Sequence, residues 1–128
     1  MIKSILVDDE VHCLATLSIL LNDDCREIMV MAKCKSGKKA LEGVEKIKPE
    51  LVFLDIEMPS MTGFEMLEQY VKIPFSVIFT TSYDQYAIKA IRFSALDYLL
   101  KPIDPKELVA AVTKIGQQNT SPSYEQFR

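Results

Sequence analysis

Apolar residues gather in five short runs: Ile2 to Val7, Ile28 to Cys34, Leu51 to Leu54, Val77 to Phe79 and Tyr98 to Leu100. Runs that are apolar on both faces and rich in Val and Ile suit the central strands of a parallel sheet. Between them the apolar period changes to about 3.6 residues, the mark of amphipathic helices. Val11, Leu14, Leu17 and Leu21 form one stripe, and Ala40, Leu41, Val44 and Ile47 form the next, behind Ser36 as N-cap. Phe64, Leu67 and Val71 follow Thr62-Gly63, and Ala87, Ile88 and Ile91 follow Asp84; isoleucines in such a stripe are more often core residues than contacts. Leu108, Val109, Val112 and Ile115 make the last stripe. Its helix opens D-P-K-E, with Asp104 as cap, Pro105 at the first helical position and Glu107 three residues after the cap.

Strand and helix thus alternate five times, which predicts an α/β fold: a three-layer sandwich with right-handed crossovers and helices on both faces. A (β/α)₈ barrel, which needs about 250 residues, is excluded by length. The 128 residues fit one domain, and 48% apolar with 26% charged residues is an ordinary globular composition. A net charge of −3 argues against nucleic-acid binding by these residues themselves, because phosphate affinity comes from clustered Lys and Arg. Cys13, Cys25 and Cys34 are odd in number and lack C-x-x-C spacing, so neither a zinc site nor a disulfide framework is expected. They read as reduced thiols of a cytoplasmic protein. No apolar stretch approaches the roughly 20 residues of a membrane helix, so no membrane association is expected. From about Gly116 the chain turns polar, which places a domain at 1–117 and a linker or tail at 118–128.

Ligands of open parallel sheets bind beyond the carboxyl ends of the strands. Here the first strand ends in Asp8, Asp9 and Glu10, the third in Asp55, the fourth in Thr80, Thr81 and Ser82, and the fifth in Lys101 and Pro102. Each has an ordinary explanation alone: an acid can cap the next helix, threonine favours strands, and a lysine can sit at a solvated strand end. Together they do not. If the first and third strands are neighbours, three carboxylates crowd one edge, where two like charges about 4 Å apart repel by about 4 kcal/mol at an effective dielectric of about 20. They need a cation or must take up protons. Hard oxygen donors, with no His or Cys at the site, point to Mg²⁺ rather than zinc, and His12 on the first helix's opening turn reads as surface and not as a ligand. Mg²⁺, Lys101 and a threonine hydroxyl together could hold a phosphoryl group, and Asp55 at the end of a rigid strand is the natural nucleophile.

The ordered motifs L-V-D-D-E, V-F-L-D-I-E-M-P…G, V-I-F-T-T-S and D-Y-L-L-K-P-I resemble a response-regulator receiver domain of the CheY-like type, over residues 2 to about 117. The resemblance implies a doubly wound, flavodoxin-like (βα)₅ fold with a five-stranded parallel sheet in the order 2-1-3-4-5. It implies Asp55 as phospho-acceptor, Asp9 and Asp55 as direct Mg²⁺ ligands, Asp8 acting mainly through water, and Glu57 offering its backbone carbonyl. It further implies Thr81 as the switch hydroxyl, Tyr98 as the aromatic that reorients with it, Lys101 as the cation on the phosphoryl oxygens, and a cis Lys101–Pro102 bond. A sensor histidine kinase is the implied phosphodonor, and the protein would be a switch, not an enzyme. The stretch from Phe79 to Ile103 is most similar to receivers of the LytTR (LytR/AlgR) class, which implies DNA binding only through a C-terminal output domain reached by the tail. Homodimerisation is implied through the surface of the fourth helix, fifth strand and fifth helix, including Tyr86, Lys89, Ile91 and Arg92.

Three rival readings compete. A stand-alone receiver would act by protein contacts alone. A Mg²⁺-dependent phosphatase with an aspartyl nucleophile would need Glu57 as second carboxylate, yet the strand end lacks the D-x-D-G-T pattern. A flavodoxin-like cofactor binder would want glycine or hydroxyl donors where the first strand ends in acids.

Overall fold

The computed structural model describes residues 1–119. Ten elements alternate along the chain: β1 (Ile2–Val7), α1 (Val11–Asp24), β2 (Ile28–Cys34), α2 (Gly37–Ile47), β3 (Leu51–Asp55), α3 (Gly63–Leu67), β4 (Ser76–Thr81), α4 (Ala87–Arg92), β5 (Asp97–Leu100) and α5 (Pro105–Asn119). The strands form one parallel sheet in the order β2-β1-β3-β4-β5, so the order reverses between β1 and β3. The fold class read from the sequence and its strand order are those observed. Helix α5 runs two residues past the expected boundary at 117, and residues 120–128 of the expected tail lie outside the described residues.

Alternation along each strand divides the core in two. Ile5, Val7, Val52, Leu54, Val77 and Phe79 face α2, α3 and α4, while Leu6, Leu51, Phe53, Ile78 and Leu99 face α1 and α5. All five residues of β3 are buried, and each large apolar side chain removed from water contributes about 1.5–3 kcal/mol. Helix starts follow local chemistry. Ser36 accepts from the Lys39 N–H, Thr62 and Glu65 form a reciprocal capping box, and Asp104 accepts from the Lys106 N–H at 2.8 Å.

Several apolar positions differ from the periodic reading. Val71 is fully exposed beyond α3, which ends at Leu67, where N–H groups of Gln69 and Tyr70 bond three residues back and tighten the turn. Tyr70 and Ile73 take the packing role instead. Ile88 and Ile91 are 72% and 73% exposed, because α4 turns Tyr86, Ala90 and Phe93 to the core and the isoleucines to the opposite side. Val11 and Val109 are exposed too, and Ala111 replaces Val109 in the core face of α5.

Candidate functional site

Strand register brings the acids together. Val7 lies opposite Leu54, so Asp8 leaves β1 level with Asp55, whose partner on β4 is Thr80. Thr81 pairs with Leu100, and the next N–H, that of Lys101, donates to the Thr81 carbonyl at 2.7 Å. The Lys101–Pro102 peptide is cis. Asp8, Asp9 and Asp55 each offer a carboxylate oxygen, all within 4.8 Å of one another. Asp8 and Asp55 are 5% and 3% exposed, and Asp9 is half-buried. Lys101 Nζ donates to Asp8 Oδ2 at 2.7 Å and to Asp55 Oδ1 at 3.2 Å.

One ammonium among three carboxylates leaves the cluster negative. Burial pushes the Asp55 carboxyl up, the charges of Asp8 and Asp9 push it further, and Lys101 pulls it partly back, to about 7. Burial acts to lower Lys101, but its hydrogen bond to Asp8 and the charges of Asp55 and Asp8 outweigh this and hold it above the ordinary lysine range. Three hard oxygen donors at this spacing fit a small divalent cation such as Mg²⁺, with positions left for water.

The other expected residues surround the cluster at different distances. Thr80 and Thr81 are both buried, and Thr81 Oγ1 accepts from the Tyr83 N–H at 3.2 Å. Tyr98, half-buried, donates its hydroxyl to the Tyr83 carbonyl. Glu57 is exposed, and its carboxylate accepts from the Tyr86 hydroxyl rather than joining the acidic cluster. Asp8 Oδ1 accepts from the Glu10 N–H at 2.9 Å, so Asp8 also secures the entry to α1, while Glu10 occupies the N-cap position without capping the helix through its side chain.

Two contributors escaped the sequence reading. A Cβ on Gly63 would meet the Asp55 carbonyl oxygen at 2.5 Å, so the absence of a side chain lets α3 begin against the site, with the Gly63 N–H donating to the Ile56 carbonyl at 2.9 Å. The glycine following M-P was part of the quoted motif, but its close approach is a three-dimensional fact. Tyr83 binds both Thr81 and Tyr98 through its backbone, and no side-chain pattern reports that.

The model of the response regulator receiver domain family matches residues 5–113. The chain is 37% identical over 123 residues to the sensory transduction protein LytT of Bacillus anthracis, covering 94% of this chain and 50% of that protein. It is 38% identical over 122 residues to the transcriptional regulatory protein BtsR of Salmonella typhimurium, with 94% and 50% covered. The chain therefore spans about half the length of the curated relatives it matches. Among solved structures, the REC domain of AraT, a response regulator from Geobacillus stearothermophilus, superposes with a TM-score of 0.79 at 31% identity, over 93% of this chain and 98% of that one. The response regulatory domain of mrkE from Klebsiella pneumoniae gives 0.80 at 26%, over 91% and 96%. With the strand order, the acidic cluster and a family match over most of its length, the chain belongs to the response-regulator receiver domains of two-component systems.

Proposed function

We propose that this receiver accepts a phosphoryl group on Asp55 from a sensor histidine kinase, with Mg²⁺ held by Asp8, Asp9, Asp55 and the Glu57 carbonyl. The observation that carries the reading is the cluster of three carboxylates with Lys101 lodged between Asp8 and Asp55. Mg²⁺, when bound, supplies positive charge to the phosphoryl oxygens and to the acids around them. An Asp55 oxygen attacks phosphorus in line, and the P–N bond of the donor phosphohistidine breaks as the P–O bond forms. Lys101 moves its donors from the carboxylates to the phosphoryl oxygens, replacing one anionic partner by another. Thr81 turns its hydroxyl to the phosphoryl group, and Tyr98 follows into the space released.

The readout surface is α4, β5 and α5, where Ile88, Ile91, Leu100 and Val109 are 72%, 73%, 42% and 40% exposed. Phosphorylation favours homodimerisation through this face. The chain is the regulatory part, residues 1–117, of a cytoplasmic LytTR-type transcriptional regulator, whose DNA contacts belong to a C-terminal output domain beyond the polar segment. The names of LytT and BtsR, each about twice this length, support that assignment. A native protein whose intact mass ended at Arg128 would refute it.

Intact mass after incubation with acetyl phosphate, with and without Mg²⁺, tests the phosphoryl step. The expected result is one labile adduct that requires both Mg²⁺ and Asp55. An adduct of equal yield in Asp55→Asn, or none in folded protein that binds Mg²⁺ and has met a histidine kinase, overturns it.

A further inference from the structure

Beside the acidic cluster, at the start of α1, lies a donor set of different chemistry. Glu10, His12 and Cys13 each offer a ligand atom, all within 4.8 Å of one another. Cys13 Sγ lies 3.6 Å from Glu10 Oε1 and 3.7 Å from His12 Nε2. A tetrahedral ion with sulfur at about 2.3 Å and nitrogen or oxygen at about 2.0–2.1 Å sets its S···N and S···O edges at about 3.5–3.6 Å. The two sulfur edges match that geometry, and the third edge, between Glu10 and His12, lies within 4.8 Å and is adjusted by side-chain rotation. Glu10 and His12 are exposed and Cys13 half-buried, so the donors are reachable from solvent.

We propose that Glu10, His12 and Cys13 form a second metal site, distinct from the Mg²⁺ site, that takes a borderline-soft divalent transition ion, Zn²⁺ foremost. One oxygen, one imidazole nitrogen and one thiolate are the donors such an ion selects, whereas Mg²⁺ has no use for sulfur. Three protein ligands leave a fourth position open, as in zinc sites that keep a water. The three residues also line a cavity of about 360 Å³ shared with Asp8 and Lys101, so solvent or a small ligand can reach the donors from that side. A redox or nucleophilic role fits Cys13 less well, since burial and the charge of Asp8 push its thiol up, away from the reactive thiolate. Coordination displaces that proton to solvent, so binding strengthens as pH rises. The inference does not depend on phosphorylation of Asp55.

The test is a Co²⁺ titration of the 128-residue protein under saturating Mg²⁺, which fills the oxygen site and leaves the thiolate site to be read. The expected result is a sulfur-to-cobalt charge-transfer band saturating at one equivalent and displaced by Zn²⁺. Cys13→Ser abolishes the band, and His12→Gln weakens binding at least about tenfold, as for perturbed metal sites generally. Absence of the band in the wild type, or its survival in Cys13→Ser, overturns the proposal. A second measurement needs no variant: Zn²⁺, but not Mg²⁺, should shield Cys13 from iodoacetamide in the folded wild type, as read by peptide mass. Alkylation at an unchanged rate in Zn²⁺ likewise overturns it.

Discussion

Replacing Asp55 by asparagine should stabilise the metal-free protein, by an amount that grows with pH. Asp55 is 3% exposed and its carboxyl is raised from an ordinary 3.8 to about 7, first by burial and then by Asp8. A carboxyl whose folded value exceeds its unfolded one favours the folded state while protonated in both. That contribution is complete below about pH 4 and is lost as pH rises through about 7. At about 1.4 kcal/mol per pH unit, the whole interval corresponds to on the order of 4 kcal/mol. Asparagine keeps the shape and removes the ionisation. Urea unfolding followed by circular dichroism in EDTA should therefore show Asp55→Asn gaining about 2–4 kcal/mol over wild type near pH 8, and within about 1 kcal/mol of it near pH 4.5. Saturating Mg²⁺ should shrink the gap near pH 8, because a ligand of the native state stabilises the chain that binds it. A difference between the two proteins that stays constant across this range, or reverses sign, would refute the electrostatic account of the site.

Lys101→Met leaves Asp8 and Asp55 buried without their cation and should cost about 3 kcal/mol near pH 8, with a smaller loss near pH 5 where Asp55 holds its proton. Equal losses at both pH values would count against it. Gly63→Ala places a Cβ against the Asp55 carbonyl oxygen, a backbone atom that has little room to yield. A stability loss of about 1–3 kcal/mol and a slower phosphoryl adduct are expected, and an unchanged unfolding midpoint would show that the loop can shift freely. Ile88→Asp puts a charge on the exposed side of α4; it should abolish the phosphorylation-dependent dimer in sedimentation while the adduct still forms. A dimer of unaltered strength would move the interface elsewhere.

The strands and the position of the site were legible because both follow from short-range pattern and topology. Doubly apolar runs gave all five strands, and the acids at their carboxyl ends marked the edge where Asp8, Asp9 and Asp55 meet. What was not legible depended on which side of a short helix faces inward. In α4 a single turn and a half carries apolar residues on both sides, so Ile88 and Ile91 matched the period as well as Ala90, yet only Ala90 is buried. Bulk explains the choice: Phe64, Tyr86 and Phe93 already fill the space beneath, with Phe64 stacked on Phe93 at 5.4 Å, and a small alanine fits between them. Val71 was lost for a related reason, since a helix that must return the chain to β4 cannot run on to satisfy its stripe. The donors Glu10, His12 and Cys13 were visible as residues, but no standard ligand spacing joins them. Their proximity arises where Glu10 precedes α1 and the side chains of its first turn converge.

The route from site to surface follows from the two bonds that Tyr83 makes. Its N–H rests on the Thr81 hydroxyl and its carbonyl receives the Tyr98 hydroxyl, so one peptide segment joins the two residues assigned to the proposed switch. If Thr81 turns its oxygen toward a phosphoryl group on Asp55, the Tyr83 N–H loses its acceptor and must take another, water included, since Tyr83 is 46% exposed. A shift of the segment toward its new partner takes away the acceptor that holds Tyr98. The rearrangement then reaches β5, which carries Tyr98, and α4, which begins four residues after Tyr83. Nothing in this sequence requires rigid transmission across the sheet. It requires only that the exposed segment from Ser82 to Gln85, tied by Tyr83 to both Thr81 and Tyr98, shifts when either partner is displaced.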